Sequence, residues 1–489
     1  MTMTTNRTER LPVRQAIIGG EHIEASDSFD DLDPSTGLLC ARVARCGTEE
    51  IDLAVTSARS AFESDWRRTS PADRANACRR MAAVLRAHRG ELAELETLDT
   101  GKPIRQAYVD ADVAARYFEF YAGCAEALFG DTLLSTPDLF AYTLPEPHGV
   151  CGHIVPWNYP LQVSARTIAP ALAAGNCCVL KPAEEAPLTA LRLGDLALEA
   201  GFPPGVLNVV PGYGAEAGAA LSAHDGLDHL AFTGSRAVGE MVMTSAAKNI
   251  VPVTLELGGK SPHILFPDFE PERAIQLIVA SIVEHAGQNC SAGSRVLVHE
   301  DIHDMVVAAL VEVFKMLRIG AGRTDPDVGP VISAKQRSRV LDYIERGRRD
   351  SRLVTGGGLP DDPELGDGFF VQPTIFDDVP PGSDISHEEI FGPVLCVTGF
   401  SDADEAIALA NGTPYGLSAG VWTQNVGLAQ RLIRELRVGQ VFVNNYSAAG
   451  AVELPFGGYK KSGFGREKGF QALREYTRCK AVAIRVGSE

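Results

Sequence analysis

Cys290 lies in Gly287-Gln288-Asn289-Cys290-Ser291-Ala292-Gly293, 34 residues after Glu256, which opens Glu256-Leu257-Gly258-Gly259-Lys260. A cysteine with polar and glycine flanks has the setting of a nucleophile, and a glutamate held in a neighbouring turn can serve as its base. Together they propose thiol chemistry on a carbonyl. With an ordinary pKa near 8.5, only about 3% of a thiol is ionised at pH 7, so Cys290 needs local activation. The bland alternative is a buried structural cysteine, which the polar flanks Gln288, Asn289 and Ser291 disfavour. Glu256 can equally anchor a turn. The two glycines after it point instead to backbone that approaches something closely.

The elements that must position these residues become regular from about residue 149. Apolar, strand-like runs occur at 150–155, 177–180, 206–210, 229–232 and 251–255, separated by helical patterns at 161–174, 188–200, 215–222 and 237–248. Strands alternating with helices imply right-handed crossovers and a parallel sheet covered on both faces. Pro156-Trp157-Asn158, Lys181-Pro182-Ala183-Glu184, Gly212-Tyr213-Gly214, Thr233-Gly234-Ser235 and Glu256-Leu257-Gly258 each follow one of the five strands. Ligands of open α/β sheets bind beyond the carboxyl ends of the strands, so these five turns define one rim. A second alternating set follows residue 260, with a strand at 263–266, a helix at 272–285, the cysteine loop and a strand at 295–299. Earlier, Ser70-Pro71 reads as a helix start, with serine as N-cap and proline in the first turn.

Gly234-Ser235-Arg236-Ala237-Val238-Gly239 closes a strand and opens a helix, which would turn backbone N–H groups and the helix dipole towards an anion. Lys181 and Glu184 are either a surface ion pair or a ribose-binding pair, the lysine donating to ribose or phosphate oxygens and the glutamate accepting from hydroxyls. A carboxylate there repels a 2′-phosphate, which favours NAD over NADP.

At 489 residues the chain exceeds one compact core, and two or three domains are expected. A net charge of −18 gives no electrostatic attraction for nucleic acid or anionic lipid. No apolar run reaches the roughly 18–20 residues of a membrane span. Residues 1–7 lack a secretory apolar core, so a cytoplasmic location is expected. Ten cysteines without zinc-type spacing fit reduced thiols, and the 11 histidines form no ligand-like pair, so no metal is expected.

These residues resemble the aldehyde dehydrogenase superfamily over nearly the whole chain. Leu98-Asp99-Thr100-Gly101-Lys102-Pro103, Pro156-Trp157-Asn158-Tyr159-Pro160, Phe232-Thr233-Gly234-Ser235, the Glu256 and Cys290 motifs, Glu388-Glu389-Ile390-Phe391-Gly392-Pro393 and Pro455-Phe456-Gly457-Gly458-Tyr459-Lys460 occur in the family's order. The resemblance implies that Cys290 adds to an aldehyde, that Asn158 and the Cys290 N–H hold the oxyanion, and that Glu256 activates water to hydrolyse the thioester. It implies cofactor contacts at Ile154, Trp157, Lys181, Glu184, Gly214, Phe232, Gly234, Ser235, Leu257, Glu389 and Phe391. NAD is the expected cofactor, with NADP as the alternative.

The fold implied is α/β in three parts. A Rossmann-like parallel-sheet cofactor domain would span 1–125 and 147–257, and a second α/β catalytic domain 258–460. A small β oligomerisation element would comprise 126–146 and 461–489, making a homodimer or homotetramer whose one small-molecule partner is the aldehyde.

The chain also departs from the family. Many members carry Trp-Lys eight and nine residues after the Asn158 position, where this chain has Arg166-Thr167, and that lysine is thought to act with a glutamate matching Glu467. Position 284, often aromatic, is glutamate. Tyr159 and Phe456 supply aromatic tunnel wall. Arg166 disfavours a cationic aldehyde and Glu284 favours one, so a medium-sized aromatic or aliphatic aldehyde is the expectation. The rival activities are transfer of the thioester to CoA, a cofactor-free thiol esterase, and a catalytically silent structural or binding relative.

Overall fold

The computed structural model describes residues 12–134, 138–448 and 450–486. The N-terminal segment 1–7 and residues 135–137 and 487–489 of the expected oligomerisation element lie outside the described residues.

The five strand patterns form Val150–Ile154, Cys177–Lys181, Leu207–Val209, His229–Thr233 and Val253–Glu256. All five pair in parallel. Their spatial order starts with Val253–Glu256, then His229–Thr233, Val150–Ile154, Cys177–Lys181 and Leu207–Val209. The order therefore reverses between Val150–Ile154 and His229–Thr233, and a crevice opens where successive crossovers leave a sheet in opposite directions. Antiparallel strands close both edges, Ala16–Ile18 and Glu21–Ile23 at one end and Gly463–Phe464 at the other.

The second sheet contains Thr374–Asp377, Val394–Phe400, Arg295–His299, Pro262–Leu265, Ser418–Trp422 and Gln440–Val443 in parallel, with Arg352–Thr355 antiparallel at its edge. The connection from Glu256 to Pro262 joins the two sheets, so the Glu256 motif sits at their seam. A third sheet pairs Leu139–Pro147 with Thr477–Arg485 and Thr132–Leu133.

Local signals behave as their chemistry requires. Ser70 caps Pro71–Ala87 by accepting from the Asp73 N–H. Cys177 and Cys178 are buried in their strand as core residues. Among the described residues, no helix is long and apolar enough to cross a membrane.

Three expectations shift. Residues 215–222 do not form one α-helix: Gly214–Gly218 is wound more widely, and only Ala219–Ser222 is α-helical. The helix expected to reach His285 runs Pro271–Val283 and stops. His285 and Ala286 then adopt left-handed backbone, with φ of 47° and 54°. Finally, residues 461–476 do not group with the third sheet. Gly463–Phe464 pairs with Val253–Glu256, and Ala472, Leu473 and Tyr476 are buried in the first unit's core. Among the described residues, the small sheet takes only Thr477–Arg485 from the C-terminal region.

Candidate active site

A cavity of about 830 Å³ opens at the seam between the sheets. Asn158, Glu256 and Cys290 line it, together with Trp157, Gly234, Ser235, Leu257, Glu389 and Phe391. Asn158 and Gly234 come from the loops after the two strands that flank the topological reversal. The sequence-predicted chemistry thus converges from separate elements on one space.

Cys290 is positioned by the break after Val283. The left-handed turn reverses the chain, and Gly287, with φ +73°, passes so close to Gly392 that a Cβ would lie 2.2 Å from its carbonyl oxygen. Gln288 anchors the loop: its side-chain N–H donates to the His285 carbonyl at 3.0 Å, and its Oε1 accepts from Ile332 N–H at 2.8 Å. Asn158 Nδ2 donates to the Gln288 carbonyl at 2.9 Å. One amide hydrogen thus fixes Asn158 beside the loop, leaving the second for an incoming oxygen.

The Cys290 thiol is half-buried, and its Sγ lies 3.8 Å from Asn289 Oδ1. Burial pushes its pKa up to about 11; the Arg166 cation opposes this, while Glu389 and Glu256 add to it. The resting sulfur is a thiol.

Glu256 ends its strand buried, at 2% exposure, and neither carboxyl oxygen has a hydrogen-bond partner among the described residues. Burial holds its pKa well above the carboxylate range, and Glu467 raises it further against the pull of Arg166. The glycines after it serve close approach. A Cβ at Gly258 would lie 2.1 Å from Glu389 Oε2, and one at Gly259 would lie 2.5 Å from the Cys290 carbonyl oxygen. Gly259 N–H donates to Glu389 Oε1 at 2.9 Å.

The remaining rim residues form a neighbouring group outside the lining of this cavity. Lys181 Nζ meets Glu184 Oε2 at 3.1 Å, and the same carboxylate oxygen accepts from Gly214 N–H at 3.2 Å. Ile154 pairs in register with Lys181 on one side and Phe232 on the other. This group tests well against a dinucleotide. The carboxylate is presented at a strand end, and Gly234 to Ala237, the start of the 12-residue helix Arg236–Ala247, faces the cavity. A Cβ at Gly234 would fall 2.6 Å from the Phe232 ring, so only glycine leaves that approach open.

Several lining residues carried no sequence signal. Gln336 donates to the Phe391 carbonyl at 2.7 Å and Arg339 to the Glu389 carbonyl at 2.9 Å, fixing the segment that Trp157 meets edge-on. Tyr446 donates to the Ser291 carbonyl at 2.8 Å. Lys468 lines the cavity without belonging to any motif. Each comes from a residue type common on surfaces, and only its place reveals it. Elsewhere, His303, Asp377 and Asp378 gather within 4.8 Å, but Arg352 pairs with both aspartates and answers their charge.

Comparison with known proteins places this arrangement. Residues 22–482 match the model of the aldehyde dehydrogenase family. The chain is similar to mitochondrial aldehyde dehydrogenase family 2 member B4 of Arabidopsis thaliana, with 44% identity over 98% of this chain and 89% of that one. Among solved structures, it is similar to the NAD+ complex of aldehyde dehydrogenase from Bacillus cereus. The TM-score is 0.94 and the identity 43%, covering 97% of this chain and 96% of that one. It is also similar to AldA, an indole-3-acetaldehyde dehydrogenase of P. syringae in complex with NAD+ and IAA. There the TM-score is 0.94 and the identity 42%, covering 96% of both chains. With its family model matched almost end to end and its site built at the seam of two parallel sheets, this chain belongs to the aldehyde dehydrogenase family.

Proposed function

We propose that the protein is an NAD-dependent aldehyde dehydrogenase that oxidises an aldehyde to its carboxylic acid through Cys290. The convergence of Cys290, Glu256 and Asn158 on one cavity with Glu389 and Phe391 carries this assignment. Lys181, Glu184, Gly214, Gly234, Ser235 and Glu389 would hold the dinucleotide, with Ile154, Trp157, Phe232, Leu257 and Phe391 packing around it. Bound NAD supplies the hydride acceptor. Glu184, carrying a negative charge where a 2′-phosphate would approach, favours NAD over NADP.

The Cys290 thiol passes its proton to water in the open cavity, and its sulfur bonds to the aldehyde carbon. The carbonyl electron pair moves onto oxygen, where the free Asn158 amide hydrogen and the Cys290 backbone N–H receive it. After hydride departure a thioester joins Cys290 to the acyl group. Glu256 then takes a proton from water, the new hydroxyl oxygen bonds to the acyl carbon, and the carbon–sulfur bond breaks to release the acid and the Cys290 thiolate.

An aldehyde panel assayed at the NADH absorbance band, with NAD and NADP in parallel, tests the assignment. Turnover with NAD that disappears in Cys290→Ala supports it, and absence of NADH with every aldehyde refutes it.

A cytoplasmic setting is part of the proposal, supported by ten cysteines that are all unbridged. A homodimer or homotetramer is likewise proposed. The strand Thr477–Arg485 is an edge of its sheet, and Phe140, Leu144 and Ile484 on that sheet are exposed. Light scattering of the eluting protein gives the subunit number.

A further inference from the structure

Lys468 is a charged cavity-lining residue that the proposed chemistry leaves unused. Its backbone sits at φ 60°, ψ 169°, a region that residues other than glycine seldom enter. The next residue, Gly469, is buried, and Glu467 before it is ion-paired with Arg166. The strained position therefore holds the lysine side chain at the cavity wall while its neighbours are locked into the core. The ammonium lies 5.3 Å from the Phe456 ring centroid, and the Arg166 guanidinium lies 5.1 Å from the same centroid. Two cations thus lie against one aromatic ring of the tunnel.

The two cations differ in their partners. Arg166 forms its ion pair with Glu467, whereas Lys468 makes no ion pair and no hydrogen bond with any described residue. The acids across the cavity do not supply the missing partner. Asp110 is held by Lys102 Nζ at 2.5 Å and by Gln162 at 3.0 Å. Glu284 is half-buried beside Tyr159, and desolvation pushes its carboxyl towards the protonated form. Glu256 is likewise biased towards its neutral form.

Burial and the neighbouring Arg166 bring the Lys468 pKa down to about 8, so at neutral pH it is still mostly an ammonium. With no anionic partner among the described residues of the cavity it shares with Cys290, it calls for an anion from the ligand. We propose that Lys468 determines substrate specificity by receiving a carboxylate at the far end of the aldehyde, so that short oxo acids are preferred over neutral aldehydes of equal length. Because this deepens the aldehyde oxidation proposed above, its test must separate the two.

The measurement is kcat/KM for succinic semialdehyde and for butanal, an equal-length pair with and without the carboxylate, in wild type, Lys468→Met and Lys468→Arg. The wild type should favour the semialdehyde at least tenfold, chiefly through KM. Lys468→Met should cut that ratio at least tenfold, and Lys468→Arg should restore most of it. A loss common to both aldehydes cancels in the ratio, so a purely structural role of Lys468 would not change it. In the wild-type protein, succinate should also slow iodoacetamide alkylation of Cys290 more than butyrate does. A wild-type preference for butanal, a ratio unchanged in Lys468→Met, or equal protection by the two acids overturns the proposal while aldehyde oxidation stands. Absence of NADH from both aldehydes overturns the oxidation itself and the specificity with it.

Discussion

Arg166 and Glu467 form an ion pair, both residues buried at 4% and 2% exposure, with Arg166 lining the same cavity as Glu256. The family pattern leads one to expect a lysine at position 167 as partner of that glutamate. Here Thr167 instead bonds His153 at 2.8 Å and Tyr476 at 2.7 Å, and the arginine one residue earlier reaches the acid. One cation thereby faces two carboxyl groups, Glu467 and Glu256, and its removal acts on both.

Breaking this pair from one side leaves a buried acid without compensation. Arg166→Met should destabilise the protein by about 3 kcal/mol, the usual cost of orphaning a buried charge. Arg166→Met combined with Glu467→Leu should recover most of that loss, because an apolar pair costs no desolvation. Thermal unfolding midpoints of the single and double variants check the order; a single variant as stable as wild type would show that the pair contributes nothing.

Glu467→Gln should move the acid limb of the deacylation profile to lower pH. Glu467 raises the pKa of Glu256 and Arg166 lowers it. Replacing the acid by a neutral amide removes the raising influence and frees the arginine to stabilise the Glu256 carboxylate. The carboxylate is the form that takes a proton from water, so activity should persist further into acid, by roughly one pH unit. Steady-state kcat against pH for wild type and variant gives the shift, and an alkaline displacement would contradict it.

Alkylation of Cys290 by iodoacetamide in the cofactor-free protein should be slow at neutrality and rise steeply with base. With the thiol pushed up to about 11 by burial, the thiolate fraction at pH 7 is on the order of one in ten thousand. The rate should therefore climb about tenfold per pH unit from 7 to 10 without a plateau. A plateau beginning near pH 8 would mean that the thiol is not held up by its surroundings.

Cys290→Ala should abolish NADH formation while leaving NAD binding intact. Glu256→Gln should instead slow turnover on the order of a hundredfold or more, within the usual contribution of a general base, and give a burst of NADH as the thioester accumulates. Stopped-flow absorbance separates the two variants. Normal steady-state turnover in Glu256→Gln would remove its assigned role.

Gly258→Ala should weaken NAD binding at least tenfold by driving its methyl into the Glu389 carboxylate, which lies 2.1 Å from the Cβ position. Iodoacetamide reactivity of Cys290 should change little, since the collision lies on the cofactor side. Titration of NAD by protein fluorescence, alongside the alkylation rate, distinguishes a local clash from general disruption.

The sequence by itself determined the chemistry and its local supports. The cysteine, glutamate and asparagine types, their placement after strand-like runs, and the Ser70 cap all depend on spacing within a few residues, which side-chain periodicity and turn chemistry record directly. Tertiary structure alone decided three other matters. The helix expected to continue to His285 breaks at Val283, because Gln288 must meet Asn158 and Ile332, residues 130 and 44 positions away. The segment 461–476 joins the first unit through strand pairing with Val253–Glu256 and burial of Leu473 and Tyr476. Arg166 and Lys468, 302 residues apart in the chain, meet on one phenylalanine ring. Contacts at such separation leave no periodic trace, since each residue's local preferences are the same whichever distant surface it finally meets.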